Sequence, residues 1–175
     1  MENIVFLIGQ ILGLIAIVLG FISYQVKTQE RVLAVQLLVT ICFTLHYLCL
    51  GAWAGMAMNF IGIIRNIVFY LNTKKGTLNR ALPIFFAVIM GVAGITSSLI
   101  SKEGIYFLLS VAGLVINTYA LSFSDPNNIR KSIFISSPLV LLYDGFARSY
   151  GGMIYESVVI VSAFMGMIRH KNKKA

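Results

Sequence analysis

Seven apolar stretches, each close to the length of a membrane-crossing helix, run through this chain with only short polar connections between them. They cover residues 4–24, 32–50, 53–71, 81–100, 105–123, 132–147 and 152–168. A helix needs about 20 residues to span the hydrocarbon core of a bilayer. Seven spans therefore take up most of the 175 residues and leave little for a separate soluble unit. Only 11% of the residues are charged, against about 25% in a typical soluble domain, and the mean hydropathy is +0.87. The pattern predicts an all-α membrane protein whose surface is covered by lipid. The first stretch follows Met1-Glu2-Asn3, without a basic leader or a small-x-small cleavage site, so it is expected to be a helix rather than a signal peptide.

The formal net charge of +8 suggests nucleic acid at first sight. The cations, however, lie almost entirely between the apolar stretches. With the N-terminus outside, the cytoplasmic connections hold Lys27, Arg31, Lys74, Lys75, Arg80, Arg130, Lys131, Arg169, Lys171, Lys173 and Lys174, and the outer ones only Lys102 and Arg148. Eleven against two obeys the positive-inside rule and places the C-terminus in the cytoplasm. The charge is thus read as topology, with membrane lipid as the partner and no nucleic acid. Cys42 and Cys49 fall seven residues apart in one stretch, about 10 Å along a helix, too far for a disulfide.

Stretches one to three and five to seven each form a triplet with a polar first connection and a very short second one. The fourth stands between them and returns the chain to the same side. This predicts two parallel three-helix bundles joined by a linker helix (3+1+3): residues 1–71, a connection and linker over 72–103, residues 104–169, and a basic tail over 170–175. In the matching register Trp53 pairs with Tyr150, His46 with Tyr143, Leu45 with Leu142, and Asn59 with Glu156. Parallel repeats are a known transporter plan, with a site near the midplane between them.

Over nearly its whole length the chain resembles the YgjV-type bacterial inner-membrane proteins. The residues that carry the resemblance are Gly20-Phe21-Ile22-Ser23-Tyr24-Gln25, His46-Tyr47, Asn59 with Arg65-Asn66, and Gly151-Gly152 with Glu156. More distantly, each triplet resembles the three-helix bundles of SWEET sugar transporters, PQ-loop proteins and PnuC vitamin transporters. Gln25 sits like the glutamine of a PQ motif, with Tyr24 in place of its proline. Asn59 sits like the asparagine that lines the SWEET sugar site, and Glu156 takes that place in the second triplet. The resemblance implies a bacterial inner-membrane location and a transport fold, and the carboxylate argues against a purely neutral sugar.

Glu156 is the leading candidate site residue. A carboxylate inside an apolar helix must be paired, protonated or beside a wet cavity; snorkelling to the surface near Arg148 is the other reading. Arg65 and Asn66 are intramembrane polar residues. Arg65 is read as pairing with another helix, a helix end or lipid phosphate, or as snorkelling, and Asn66 shares a helix face with Asn59. Such asparagines line a site or bond between helices. His46, Tyr143, Trp53 and Tyr150 are placed toward the outer boundary, where they serve a substrate site or an aromatic anchor belt. Gln25 and Pro138 are candidate gate or hinge positions, with Ser136 and Ser137 available to the carbonyl that Pro138 frees. Gly9-x-x-x-Gly13 suits close packing within the chain, and the same spacing would serve an oligomer seam.

The chain carries no phosphate-cradling loop, metal-ligand cluster or nucleophile elbow, so no cofactor, no metal and no enzyme activity is expected. The reading favoured is a small-solute transporter with alternating access around a polar midplane site, its cargo a sugar, vitamin or amine-like molecule. A scaffold or regulatory protein that presents a basic cytoplasmic face is the alternative.

Overall fold

Apolar side chains line the outside of this protein and polar ones crowd its interior. In a computed structural model the described residues are 2–50, 53–76, 81–101, 106–146 and 150–171, with the side chains at 2–3, 53–55, 98, 101, 150 and 171 excepted. Among them, α1 spans Glu2–Ser23, α2 Gln29–Cys49, α3 Trp53–Lys74, α4 Ala81–Ser101, α5 Phe107–Ala120, α6 Pro126–Phe146 and α7 Tyr150–Lys171. Leu14, Val18, Phe60, Ile84, Phe85, Leu99 and Ile168 stand out from the surface at half exposure or more. Arg65, Asn66, Thr118, Ser136, Ser137 and Ser162 are meanwhile buried. This inversion suits a chain solvated by lipid, because in hydrocarbon the polar groups must find their partners inside.

Among the described residues three helical stretches combine the length and apolarity of a membrane crossing: Ile4–Ser23, Gln29–Cys49 and Gly151–His170. Ala81–Ser97 and Phe107–Ala120 are apolar over shorter runs. The α3 and α6 helices carry more polar and charged residues, among them Arg65 and Asn66 in α3 and Arg130 and Asp144 in α6.

The helix ends follow local chemistry. Thr28 caps α2, its hydroxyl accepting from the Arg31 amide at 3.3 Å. Gly76, at φ 67°, closes the turn after α3 in the left-handed region that favours glycine. The one clear boundary error lies at 124–131, read from sequence as a turn. Asp125 instead accepts from the Asn127 amide at 2.9 Å and Pro126 opens α6. Proline suits the first helical position because its missing N–H would be unpaired there anyway. The sixth helix is consequently 21 residues long rather than short, and it runs on through Pro138.

Neighbours in the chain are neighbours in space. The α2 helix packs between α1 and α3, and α6 between α5 and α7. The α4 helix bridges α3 and α5, and α7 returns against α1 to close the ring. Glycines set the closest approaches. A Cβ on Gly113 of α5 would lie 2.8 Å from the Ser136 carbonyl oxygen of α6, and one on Gly20 of α1 would lie 2.7 Å from the Tyr155 ring of α7. An apolar core forms where the ends of α1, α3 and α5 meet the starts of α2, α4 and α6. Tyr24, Leu33, Phe69, Phe86, Leu121 and Ile129 belong to it.

Candidate functional site

The α7 helix carries Glu156 about 9 Å along its axis from Tyr150, by helical rise. Its carboxylate accepts a hydrogen bond from the hydroxyl of Ser137, near the middle of α6. Beside this pair lies a cavity of about 40 Å³ lined by Tyr24, Asn117, Ser136, Ser137, Tyr155 and Glu156, among others. The cavity therefore sits between α5, α6 and α7, with the end of α1 at one side. A water needs roughly 10–15 Å³ of such space, so the cavity holds a few waters or one small ion. Drug-sized ligands occupy pockets of about 300–1,000 Å³, and a sugar or vitamin does not fit here in this conformation. A larger depression of about 470 Å³ lies between α4 and α5, but its lining is mostly aliphatic (Ile84, Val88, Val115 and Ile116 among them), which suits lipid.

Two polar atoms on residues that line this site are unusual. Ser136 Oγ and Asn117 Oδ1 are buried with no hydrogen-bond partner among the described residues, and both residues line the cavity. Buried polar groups are almost always paired. No ion pair to Glu156 forms among the described residues.

A second polar network adjoins the first. Arg65 is 4% exposed. It donates through Nε and Nη2 to Asn66 Oδ1, at 3.1 Å each, and through Nη1 to the Thr118 hydroxyl at 2.8 Å. Asn66 Nδ2 donates to Thr40 Oγ1 at 3.4 Å. Gln36 Nε2 donates to Ser23 Oγ at 2.9 Å and to Tyr24 Oη at 3.2 Å. The two networks approach each other at Tyr24, which lines the cavity, and at the Asn117–Thr118 step of α5. A charged side chain in a membrane interior costs a few kcal/mol unless its hydrogen bonds are met; all three guanidinium nitrogens of Arg65 have acceptors here.

The seam between α1 and α7 is built from backbone capping. Gln25 Nε2 donates to Ser162 O at 2.8 Å and Oγ at 2.9 Å, and the Ser162 hydroxyl donates to Phe21 O. His170 Nε2 lies 3.0 Å from Gln25 O. Arg130 of α6 donates to Tyr24 O at 2.8 Å and also to Val26 O, while Gln29 of α2 donates to Leu121 O at 3.0 Å. The last carbonyls of α1 and α5, otherwise orphaned at a helix end, thus find donors from the opposite half of the chain.

The family model Imp-YgjV, described as bacterial inner membrane protein, matches residues 7–174. The chain belongs to this family. No curated protein and no solved structure matches it.

In this YgjV-family chain the residues singled out from the sequence separate into groups. Glu156 lines the cavity, whereas Asn59, His46 and Tyr143 are not among its lining residues. His46 is docked on α1, with Nδ1 2.7 Å from Gly9 O and its ring against Gly13. The Gly9-x-x-x-Gly13 pair therefore seats a neighbouring helix of the same chain. Asn59 and Tyr143 are half-buried. Asp144, beside Tyr143, packs its carboxylate against Gly152 of α7. The side chains of Trp53 and Tyr150, and Arg148 as a whole, lie outside the described residues. Gln25 is held by α7, and Pro138 sits within an unbroken helix. Of the two serines offered to the carbonyl freed by Pro138, Ser137 bonds Glu156 and Ser136 Oγ has no partner among the described residues.

The sequence reading passed over Tyr24, Asn117 and Tyr155 as site residues, and Arg130 as a structural one. Asn117 was detectable as a lone amide in an apolar stretch. The tyrosines looked like ordinary aromatics.

Proposed function

We propose that this inner-membrane protein is a small-solute transporter that crosses the membrane seven times, N-terminus outside. Two helix triplets would move against each other around the cavity at Glu156. The observation that carries the reading is that cavity. A carboxylate and two residues with oxygens unpartnered among the described residues line one cavity in the interior of a bundle whose outside is apolar. A scaffold held together by packing alone has no use for unsatisfied buried polar atoms, which weaken it.

Pairs of bonds related by one register support the internal repeat. Ninety-seven residues separate Arg65 from Ser162, and ninety-seven separate Phe21 from Thr118. Arg65 bonds Thr118, and Ser162 bonds Phe21. The same spacing relates Tyr24 to Leu121, the two carbonyls capped from the other half. In this reading the small cavity is the closed state, and cargo entry requires the triplets to part. Asn59 of α3 would then be exposed to the opened path rather than to the closed centre.

The test has two stages. Purified protein is screened by thermal shift against sugars, vitamins, amino acids and amines, because a ligand that binds the native state raises its melting temperature. Stabilising compounds are then followed into proteoliposomes. Flux is expected with the native chain and not with Glu156→Gln, which keeps the shape and removes the charge. Failure of every stabilising compound to cross, or equal flux through the variant, would overturn the proposal.

A further inference from the structure

The cavity at Glu156 is lined, among the described residues, by oxygen-bearing polar side chains and by no cationic one. Glu156 contributes a carboxylate, Ser137 a hydroxyl already committed to it, Ser136 a hydroxyl and Asn117 an amide oxygen. The hydroxyl oxygen of Tyr24, which also lines the cavity, accepts from Gln36. Ser136 is 2% exposed, and its Oγ, like Asn117 Oδ1, is buried without a hydrogen-bond partner among the described residues. No lysine or arginine forms an ion pair with Glu156 among those residues, and Arg65 spends three nitrogens on Asn66 and Thr118. What the lining offers is one carboxylate, the hydroxyls of Ser136, Ser137, Tyr24 and Tyr155, whose oxygens can also accept, and an amide, with no cationic side chain to balance the charge.

Oxygen-rich linings of this kind suit hard cations, which bind carboxylate, carbonyl and hydroxyl oxygens rather than sulfur or imidazole. Charge and size narrow the class. Calcium sites gather six to eight oxygens, commonly with several carboxylates, and magnesium keeps several of its waters. One carboxylate matches a single positive charge, and about 40 Å³ is far less than a full hydration shell of a divalent ion needs. We propose that the cavity formed by Glu156, Ser136, Ser137 and Asn117 is a binding site for a dehydrated monovalent alkali cation. The ion would neutralise Glu156, and a small side-chain adjustment would bring the unpartnered oxygens of Ser136 and Asn117 onto it. The inference deepens the transport reading by naming a coupling ion, but its test needs no flux.

The purified full-length protein is melted at constant ionic strength while sodium or potassium chloride replaces choline chloride. Choline is too large for the cavity. A saturable rise in melting temperature with sodium or potassium, absent in choline alone, is expected. Glu156→Gln should abolish it. Ser136→Ala should raise the half-saturating concentration about tenfold, the equivalent of losing one ligand, while melting like the native protein in choline. Identical melting in all three salts overturns the site, as does a cation response that survives Glu156→Gln. Should Glu156→Gln fail to fold, Ser136→Ala and Asn117→Ala decide, and unchanged half-saturation in both overturns it. Flux that persists without sodium or potassium, with no cation response, removes the ion and leaves the transporter. A cation response without any flux does the reverse.

Discussion

The guanidinium of Arg65 donates to the hydroxyl of Thr118 at 2.8 Å, joining α3 to α5 through the interior. Arg65 lies near the middle of α3 and Thr118 in the last turn of α5, and α4 packs between the two helices at the periphery. The bond therefore spans a place where backbones do not meet closely, and the long arginine stem supplies the reach. Thr118 also fixes the rotation of α5, because its neighbour Asn117 must then face the cavity beside Glu156.

Thr118→Val keeps the volume and removes the acceptor, leaving Arg65 Nη1 short of a partner. A buried donor left unsatisfied costs about 1–3 kcal/mol, and this loss is expected on unfolding in detergent. Thr96→Val is the control. Its hydroxyl bonds only Val92 O of its own helix in an exposed position, and the change should stay within about 0.5 kcal/mol. Equal effects of the two substitutions would show that the Arg65 bond contributes nothing particular.

Close packing at Gly113 gives a second test. An added Cβ there would meet both the Val140 side chain and the Ser136 carbonyl, and a backbone atom in a packed helix cannot swing aside. Gly113→Ala is expected to destabilise by about 1–3 kcal/mol through overpacking. It should also disturb the cavity, since Gly113 and Ser136 both line it. Gly145→Ala meets nothing within 4 Å and should be neutral or slightly stabilising, as alanine favours helix. Thermal midpoints of the two variants decide the matter.

Much of the fold was legible because membrane helices advertise themselves. The backbone must satisfy its own hydrogen bonds, so length and hydropathy locate helices within a few residues. The start of α6 escaped because Asp125-Pro126 is a signal for a turn and equally for a capped helix start, and only the surrounding chain chooses. Arg130 was counted as a loop cation, yet it is buried, with bonds to Tyr24 O, Val26 O and Asn127 Oδ1. Counting charges cannot tell a solvated cation from one that caps a helix. Glu156 was legible as a lone carboxylate in an apolar helix. Its surroundings were not, because repeat register puts Asn59 and Glu156 at matching depth without saying which way either faces. The actual neighbours, Ser137 and Asn117, come from the rotation of α5 and α6, which depends on where glycines such as Gly113 let the helices close.

The seven-crossing topology proposed above rests on charge bias, and reporter fusions test it directly. A reporter active only in the periplasm should be silent when fused after Ala175 and active when inserted at Lys102. The opposite pattern would reverse the orientation. Activity at both positions would mean that the number of crossings between them is even, and the two triplets could not then be parallel.

The seam between α1 and α7 offers the sharpest test of relative motion. Gln25 Nε2 and Ser162 Oγ lie 2.9 Å apart, and the amide nitrogen stands two bonds beyond the atom that a cysteine sulfur would replace. Cysteines at the two positions are therefore expected to be bridged by a mercuric ion, which links two thiols across a longer gap than a direct disulfide. The free Cys42 and Cys49 are first replaced by alanine. If the triplets move against each other at this end, a Gln25→Cys, Ser162→Cys protein should carry its cargo when its thiols are free and stop when they are bridged. Full recovery is expected when excess dithiol removes the metal, which separates locking from damage. The two single-cysteine proteins should keep their flux under the same treatment. Loss of the side-chain bonds from Gln25 also predicts a modest destabilisation of the unbridged double variant, about 1–2 kcal/mol for two hydrogen bonds. Bridged protein that transports as fast as unbridged would mean that α1 and α7 stay together throughout the cycle. Motion would then have to be sought at the opposite side of the ring, where α4 bridges α3 and α5.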